Sequence, residues 1–161
     1  MAASARAKKT AAPLQYAVAQ LARREHSRAE LRAKLRRRLQ DGDPAEASAQ
    51  VEKVLDSLQA KGLLSDTRFA AALVRTRADR FGAARIRHEL RAHELPAEVV
   101  RTTVENLRVT EEERARALWK RRFGHPAADA AERARQMRFL AQRGFSTSVV
   151  IKVVRGADRD D

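Results

Sequence analysis

The chain has 161 residues, of which 34 are Lys or Arg and 21 are Asp or Glu, so its formal net charge at pH 7 is +13. Such an excess of cations favours a polyanionic partner, which could be nucleic acid, an acidic protein surface or anionic lipid. The sequence contains no cysteine, which excludes disulfides and thiolate metal sites, and it contains no apolar run that approaches the length of a membrane span.

Helix is expected nearly throughout. The chain has only six Gly and four Pro, and it is rich in Ala, Leu, Arg and Glu, which favour helix. No alternating strand pattern with hairpin punctuation occurs, so we predict an all-α protein. Residues 1–12 are basic and poor in large apolar side chains, which predicts a disordered arm. A transit peptide is the alternative for this segment.

Three helices are predicted between residues 13 and 64. The first begins at Pro13, since proline suits a first helical turn. The second follows a capping box that runs from Ser27 to Glu30. Asp43 and Pro44 open the third, which ends at Gly62. The expected apolar stripes are Leu14, Val18 and Leu21; Leu31, Leu35 and Leu39; and Val51, Val54, Leu55 and Leu58.

The next stretch, 65–109, has the clearest helix punctuation. Ser65 is the predicted N-cap of a fourth helix, and Leu64 and Phe69 form the hydrophobic staple around it. Phe81-Gly82 ends this helix in a turn that uses the backbone freedom of glycine. A fifth and a sixth helix follow, with the apolar residues Ile86, Leu90, Val99, Val100, Val104 and Leu107.

Three further helices are predicted after residue 109. A capping box formed by Thr110 and Glu113 opens the seventh, which ends at Phe123-Gly124. A basic helix is expected over 127–143, where Gly144 stops it, and a last helix over 146–154. The polar tail 156–161 is expected to fray.

The three groups of helices repeat one unit. Arg80-Phe81-Gly82 matches Arg122-Phe123-Gly124, and Leu95–Val100 matches Phe145–Val150. The repeats are predicted at 13–64, 65–109 and 110–155. Repeated helical units that cannot bury their own faces stack on one another. We therefore predict three tandem three-helix repeats that form an elongated, curved array, with a single compact bundle as the alternative.

Arginines lie beside the apolar stripes of the middle helices. Arg32 and Arg36 of the first repeat match Arg87 and Arg91 of the second, and each pair is four residues apart on one helix face. Like charges at this spacing repel, so the pairs predict a surface that faces anions; a solvated face is the alternative. The third repeat departs from this pattern. The candidate partner-binding residues, for protein or phosphate, are Arg28, Arg32, Arg36, Arg68, Arg75, Arg87, Arg91, Arg135 and Arg138.

The sequence gives no assembled catalytic or metal site. His88 and His93 are five residues apart and point about 140° from each other, whereas a zinc-binding helix needs a spacing of four. Glu111–Glu113 is interpreted as helix capping, and Trp119 as a core residue rather than a platform for a base. The helix–turn–helix at 80–90 could read DNA, but its recurrence favours a structural repeat. Neither enzymatic activity nor a cofactor is predicted.

Four segments, in this order, resemble the RecX family of recombinase regulators. The resemblance extends over roughly residues 14–155 and is strongest in the middle repeat. The sequence departs from the family pattern at Ala83, where members often have Pro, and at Glu94, where they often have Gly. The matching segments are L-S-D-T-R-F-A (64–70), V-R-T-R (74–77), R-F-G-A-A-R-I-R-H-E-L (80–90) and R-G-F-S (143–146).

The resemblance implies a cytoplasmic, monomeric bacterial protein that binds along the RecA–DNA filament. Such a protein inhibits RecA by limiting filament extension, ATPase activity and strand exchange, and it has no catalysis or cofactor of its own. Weak, nonspecific contact with single- or double-stranded DNA is compatible with this role, and no membrane is involved. Charge alone supports a different hypothesis, a helical protein that binds nucleic acid without sequence preference.

Overall fold

Helices make up most of the chain in the computed structural model. The structure describes the backbone of residues 2–157 and the side chains of residues 12–156, and within that range it contains no strand. This confirms the all-α prediction. The helices are α1 (Ala2–Arg23), α2 (Arg28–Arg38), α3 (Pro44–Ala60), α4 (Asp66–Arg77), α5 (Ala83–Ala92), α6 (Ala97–Val109), α7 (Glu111–Arg122), α8 (Ala130–Gln142) and α9 (Thr147–Ala157).

The first helix begins earlier than the sequence analysis placed it. Helix α1 starts at Ala2 and carries Pro13 in its interior, whereas a disordered arm was predicted over 1–12. Six of residues 2–12 are alanine, the strongest helix former, and this propensity outweighs the lack of large apolar side chains. At the other end, residues 158–161 of the predicted tail lie outside the described residues.

Three of the predicted N-caps are confirmed by their hydrogen bonds. The Ser27 hydroxyl accepts a bond from the backbone N–H of Glu30 at 3.0 Å. The Asp43 carboxylate accepts from two N–H groups in the first turn of α3, at 2.8 and 3.1 Å. The Ser65 hydroxyl accepts from the N–H of Arg68 at 3.2 Å. Each side chain satisfies N–H groups that a helix start leaves without a partner.

The capping box at Thr110 is wrong. The Thr110 side chain makes no cap hydrogen bond to α7, and its hydroxyl donates instead to the carbonyl oxygen of Leu107 at 3.5 Å. Glu111 is also not a solvated capping residue, since only 4% of it is exposed. The basic helix of the third repeat is shorter than predicted, because Asp129 caps it through the N–H of Glu132 at 2.8 Å.

Glu94 and Gly82 have roles that the sequence analysis did not assign. Glu94, one of the two departures from the pattern that the sequence resembles, adopts a φ of 53° after the end of α5. This left-handed backbone is the conformation that a helix-ending glycine usually supplies. The conformation expected of Gly82 occurs instead at Gly124 and Gly144, which have φ values of 74° and 83°.

The described chain divides into two compact units, and the boundary falls within α4. The first unit comprises the residues up to Phe69 together with His93–Pro96. In it α1, α2 and α3 pack on one another. The stripes predicted for α2 and α3 supply most of its core, which consists of Ala17, Leu31, Leu35, Val51, Val54, Leu55, Leu58 and Leu64. The stripe predicted for α1 is wrong at Val18, which is 41% exposed, and Leu14 and Leu21 are only partly buried against this core.

The second unit comprises Ala70–Ala92 and the described residues from Ala97 onward. In it α7, α8 and α9 form a three-helix group, α5 packs on α6, and α6 packs on α7. The core of the three-helix group consists of Ala115, Leu118, Trp119, Leu140, Phe145, Val150, Val153 and Val154. The predicted apolar residues of α5 and α6 are buried as well, at Ile86, Leu90, Val100, Val104 and Leu107.

A candidate arginine surface for partner binding

Two of the candidate arginines are neutralised within the first unit. Arg28 on α2 donates to Glu52 and Asp56 on α3, at 2.8 and 2.6 Å. Arg32, one turn further, donates to both oxygens of Glu52 at 2.5 and 3.2 Å. The bond from Arg32 is the largest influence that lowers the pKa of Glu52, to about 2. The predicted anion-facing stripe on α2 is therefore largely an internal ion-pair network.

The remaining candidates of the first unit are divided between paired and unpaired. Arg68 donates from Nε to Glu25 at 2.9 Å and from Nη2 to the Leu63 carbonyl oxygen at 3.2 Å. The Arg36 side chain is exposed and has neither a hydrogen bond nor an ion pair with the described residues. It is the one nominated α2 arginine in this unit whose charge is not matched locally.

The candidates of the second unit are mostly without counter-ions. Arg75, Arg91 and Arg138 are exposed and Arg87 is half-buried, and none of the four has a hydrogen bond or ion pair among the described residues. Their neighbour Arg77 differs, because it donates to both oxygens of Glu89 at 3.1 Å and so links α4 to α5. The unmatched charges thus lie on α5, at Arg87 and Arg91, on α4, at Arg75, and on α8, at Arg138.

A second set of arginines in this unit lies over aromatic rings, and the sequence analysis nominated only Arg135 of these. The guanidinium carbon of Arg85 is 4.6 Å from the centre of the Phe81 ring. Arg143 lies between two rings, 5.7 Å from Phe81 and 4.8 Å from Phe139. We call the following residues the arginine–phenylalanine ladder: Phe81, Arg85, Arg143, Phe139, Arg122, Phe123 and Arg135.

The far end of the ladder is built on the second Arg-Phe-Gly segment. Arg122 is 5.4 Å from the centre of the Phe123 ring and 5.9 Å from that of Phe139, and Arg135 is 5.7 Å from that of Phe123. The two rings meet edge to face, with centres 5.4 Å apart. The repeated Arg-Phe-Gly was the sequence signal for this feature, although it was interpreted only as a repeat marker.

Backbone contact holds the ladder together at the step from Phe81 to Arg143. The N–H of Gly82 donates to the carbonyl oxygen of Arg143 at 2.8 Å, and the N–H of Ala84 to that of Gly144 at 3.3 Å. A Cβ atom at Gly82 would lie 2.2 Å from the Gly144 oxygen, and one at Gly144 would lie 2.6 Å from the Cβ of Arg85. Only glycine permits this approach, so the two glycines set the register in which Arg143 reaches Phe81.

Glu111 and Arg114 hold the same contact from α7. The buried Glu111 carboxylate accepts a bond from the N–H of Ala83 at 2.9 Å, so it caps α5 rather than its own helix. Arg114 donates to the carbonyl oxygens of Ala78 and Phe81, both at 2.8 Å, and to that of Leu107 at 2.9 Å. Burial lowers the pKa of Arg114. We refer to Gly82, Gly144, Glu111 and Arg114 as the inter-repeat joint.

Other residues singled out in the sequence are part of the packing. Trp119 is 8% exposed, and its indole N–H donates to the fully buried Gln136 at 2.8 Å. It is therefore a core residue, as predicted, and its ring is not available to a base. His93 packs edge-on against Phe69, with ring centres 4.7 Å apart.

No helix in the described part of the chain is long and apolar enough to cross a membrane.

Comparison with known proteins identifies this helical arrangement. Residues 65–104 match the family model for the second three-helix domain of RecX, and residues 110–154 match that for the third. A relative from Leptothrix cholodnii, the regulatory protein RecX, is 56% identical over 87% of this chain and 85% of its own length. The chain belongs to the RecX family. Another RecX, from Ralstonia nicotianae, is 48% identical over 88% of this chain and 86% of its own length.

Solved RecX structures share the fold at much lower identity. RecX from Lactobacillus salivarius superimposes with a TM-score of 0.77 at 18% identity, over 95% of this chain and 99% of its own. A second structure, described as regulatory protein RecX, gives a TM-score of 0.72 at 23% identity, over 96% of this chain and 75% of its own. Together with the family models, these similarities confirm the predicted fold of tandem three-helix repeats.

Proposed function

We propose that this RecX-family chain is a non-enzymatic modulator of RecA, and mainly an inhibitor. In this proposal it binds along the RecA–DNA filament and limits filament extension, ATP hydrolysis and strand exchange. It does so as a monomer in the cytoplasm and needs no cofactor. The relatives are named regulatory proteins, and the resemblance of segments 64–70 and 80–90 to recombinase regulators supports RecA as the partner.

The observation that carries the proposal is the pair Arg87 and Arg91 on α5. The two side chains are one turn apart, and neither has a counter-ion among the described residues, in contrast to Arg28 and Arg32 on α2. Like charges at this spacing destabilise a helix by a few tenths of a kcal/mol. A partner with acidic groups opposite α5 would replace that repulsion with attraction, and it would guide the encounter as well.

The test is the DNA-dependent ATPase activity of RecA on single-stranded DNA, titrated with this protein. The wild-type chain should lower the rate at less than one protein per RecA. The variant Arg87→Ala/Arg91→Ala should need about two- to thirty-fold more protein. This range corresponds to 0.2–1 kcal/mol for each exposed ion pair lost. Alanine favours helix, so α5 should stay folded, which circular dichroism can check.

A matched control removes the same charge from the first unit. Arg23 and Arg37 are exposed and have no hydrogen bond or ion pair with the described residues, so Arg23→Ala/Arg37→Ala should inhibit RecA as the wild type does. Equal weakening of both double variants would mean that net charge, and not the α5 surface, governs binding. Failure of the wild-type chain to slow ATP hydrolysis at equimolar protein would refute the proposed inhibition itself.

A further inference from the structure

The arginine–phenylalanine ladder has a composition and geometry that the RecA proposal does not use. We propose that it binds the phosphodiester backbone of nucleic acid through the outer N–H edges of its guanidinium groups, without reading the bases. The ladder supplies four arginines in a row, held on three rings. The proposal does not depend on RecA, because it is tested with this chain alone.

The charges of the ladder are unmatched. Arg85, Arg122 and Arg135 are exposed and Arg143 is half-buried, and none of the four side chains has a hydrogen bond or ion pair within the described residues. This distinguishes them from Arg77, Arg101 and Arg114 of the same unit, which are bonded to carboxylates or carbonyl oxygens. A row of cations with no acid between them needs an anion that carries repeated charges.

Stacking prepares these arginines for phosphate. A guanidinium group that lies over a ring is held in one plane, while the N–H groups on its edge stay free to donate. Two parallel N–H groups match two oxygens of one phosphate, and this is the geometry in which arginine binds phosphate most strongly. Contact with a ring also restricts the rotamers of each arginine, so less entropy is lost on binding.

The same stacking excludes the bases as the contacted groups. Proteins that hold single strands by stacking present open aromatic faces. Here Phe81 has Arg85 and Arg143 over it, and Phe123 and Phe139 are half-buried against the core of the three-helix group. With Trp119 buried, the second unit offers no free aromatic face near the ladder. Binding should therefore be independent of base sequence.

An acidic protein surface is the competing occupant, and the ladder lacks what such an interface requires. The central contacts of protein interfaces are exposed apolar or aromatic anchors in dry pockets. The large hydrophobic side chains that are exposed in the described residues are Val18, Leu63 and Val109, and none of them belongs to the ladder. A surface made of cations with covered rings is closer to the polar, strongly positive interfaces of nucleic-acid-binding proteins.

The ladder is separate from the α5 pair assigned to RecA. Arg85 precedes Arg87 by two residues, which places the two side chains about 160° apart around the helix. Variants of one surface therefore leave the other intact. This separation allows the phosphate proposal and the RecA proposal to fail independently.

The experiment is fluorescence anisotropy of labelled mixed-sequence oligonucleotides, single-stranded and duplex, over a series of salt concentrations. Four phosphate contacts contribute a slope of about −3.6 to log K against log salt for duplex, and about −2.8 for single strands. The variant Arg85→Ala/Arg143→Ala should weaken binding and make the duplex slope less steep by about 1.8. Arg23→Ala/Arg37→Ala, with the same net charge, should retain the wild-type slope.

A second variant tests the rings without changing the charge. Phe139→Leu keeps an apolar side chain at the edge of the core but removes the ring beneath Arg143 and Arg122. It should lower affinity by no more than about thirty-fold, the limit set by two lost cation–π contacts at exposed sites, with no change in the salt slope. Circular dichroism and Trp119 fluorescence establish that the variants are folded.

Several results would overturn the proposal. An unchanged salt slope in Arg85→Ala/Arg143→Ala would show that the ladder does not meet phosphate. A preference for particular base sequences that disappears in this variant would mean that the ladder reads bases. Loss of RecA inhibition in the same variant, with nucleic-acid binding intact, would assign the ladder to a protein partner instead.

Discussion

Gly82 is the position at which one added methyl group should disturb the inter-repeat joint most. In Gly82→Ala the new Cβ would lie 2.2 Å from the Gly144 carbonyl oxygen and 2.3 Å from the Phe145 nitrogen. These neighbours are backbone atoms, so a side-chain rotation cannot relieve the contact. The segment at Gly144 must move away, and the hydrogen bond from the Gly82 N–H to Arg143 is then lost.

The expected cost is about 1.5–4.5 kcal/mol of the free energy of unfolding. Overpacking by a single carbon typically costs about 1–3 kcal/mol, and the lost backbone hydrogen bond adds about 0.5–1.5 kcal/mol. Trp119 is the sole tryptophan of the chain and lies in the second unit, so urea unfolding followed by its fluorescence measures the affected unit.

Gly156→Ala provides the matched control. Gly156 lies in α9, and a Cβ there would meet only the Arg116 guanidinium group, at 3.5 Å. Alanine favours helix over glycine by up to about 1 kcal/mol, so this variant should be as stable as the wild type or more so. If Gly82→Ala were as stable as Gly156→Ala, the close approach that we assign to Gly82 would be incorrect.

Three further predictions concern polar contacts. The bond from Arg32 holds the pKa of Glu52 at about 2 in the folded chain, so its stabilisation is complete above the unfolded pKa of about 4.5 and is lost as the pH falls towards 2. Because Glu52 is partly exposed, we expect this carboxylate to contribute about 1 kcal/mol to the difference in unfolding free energy between pH 6 and pH 2. Gln136→Leu should cost about 1–3 kcal/mol, since it leaves the buried Trp119 N–H without an acceptor, and the tryptophan emission should change. Arg114→Lys should cost about 2–3 kcal/mol and speed hydrogen exchange at the start of α5, because one ammonium group cannot reach the three carbonyl oxygens that Arg114 bonds.

Each of these predictions has a result that contradicts it. For the first, Glu52→Gln should lose about 1 kcal/mol less than the wild type between pH 6 and pH 2; an equal loss in both proteins would assign the acid dependence to other carboxylates. For the second, wild-type stability of Gln136→Leu would mean that the indole N–H finds another acceptor. For the third, unchanged exchange at Ala83 and its neighbours in Arg114→Lys would show that Glu111 alone holds α5.

Much of the helical architecture could be predicted from the sequence. Local signals place most helix boundaries, since Ser27, Asp43 and Ser65 act on N–H groups two or three residues away. Most residues of the apolar stripes are also buried, because burial follows from a periodicity that is readable along the chain; Val18 of α1 is an exception and is exposed. The error at Thr110 arose where a local pattern competed with a tertiary one, as Glu111 serves a helix that lies earlier in the chain.

The partner-binding surface was less predictable, for a physical reason. Arg32 and Arg87 occupy matching positions in two repeats, yet Arg32 bonds Glu52, whereas Arg87 has no acidic partner among the residues that the structure describes. Whether a charge is free depends on what an adjacent helix places opposite, and repeat alignment carries no information about that. The same applies to the ladder, whose pairs join residues of different helices.

The sequence by itself determined the helical class, the repeat, most of the apolar stripes that are buried and the resemblance to RecX, because each is a pattern in the order of residues along the chain. The tertiary structure decided which arginines are neutralised, why Gly82 must be glycine, and that Arg143 stacks on Phe81. These outcomes depend on distances of 2–6 Å between residues that are distant in sequence, and packing alone sets such distances.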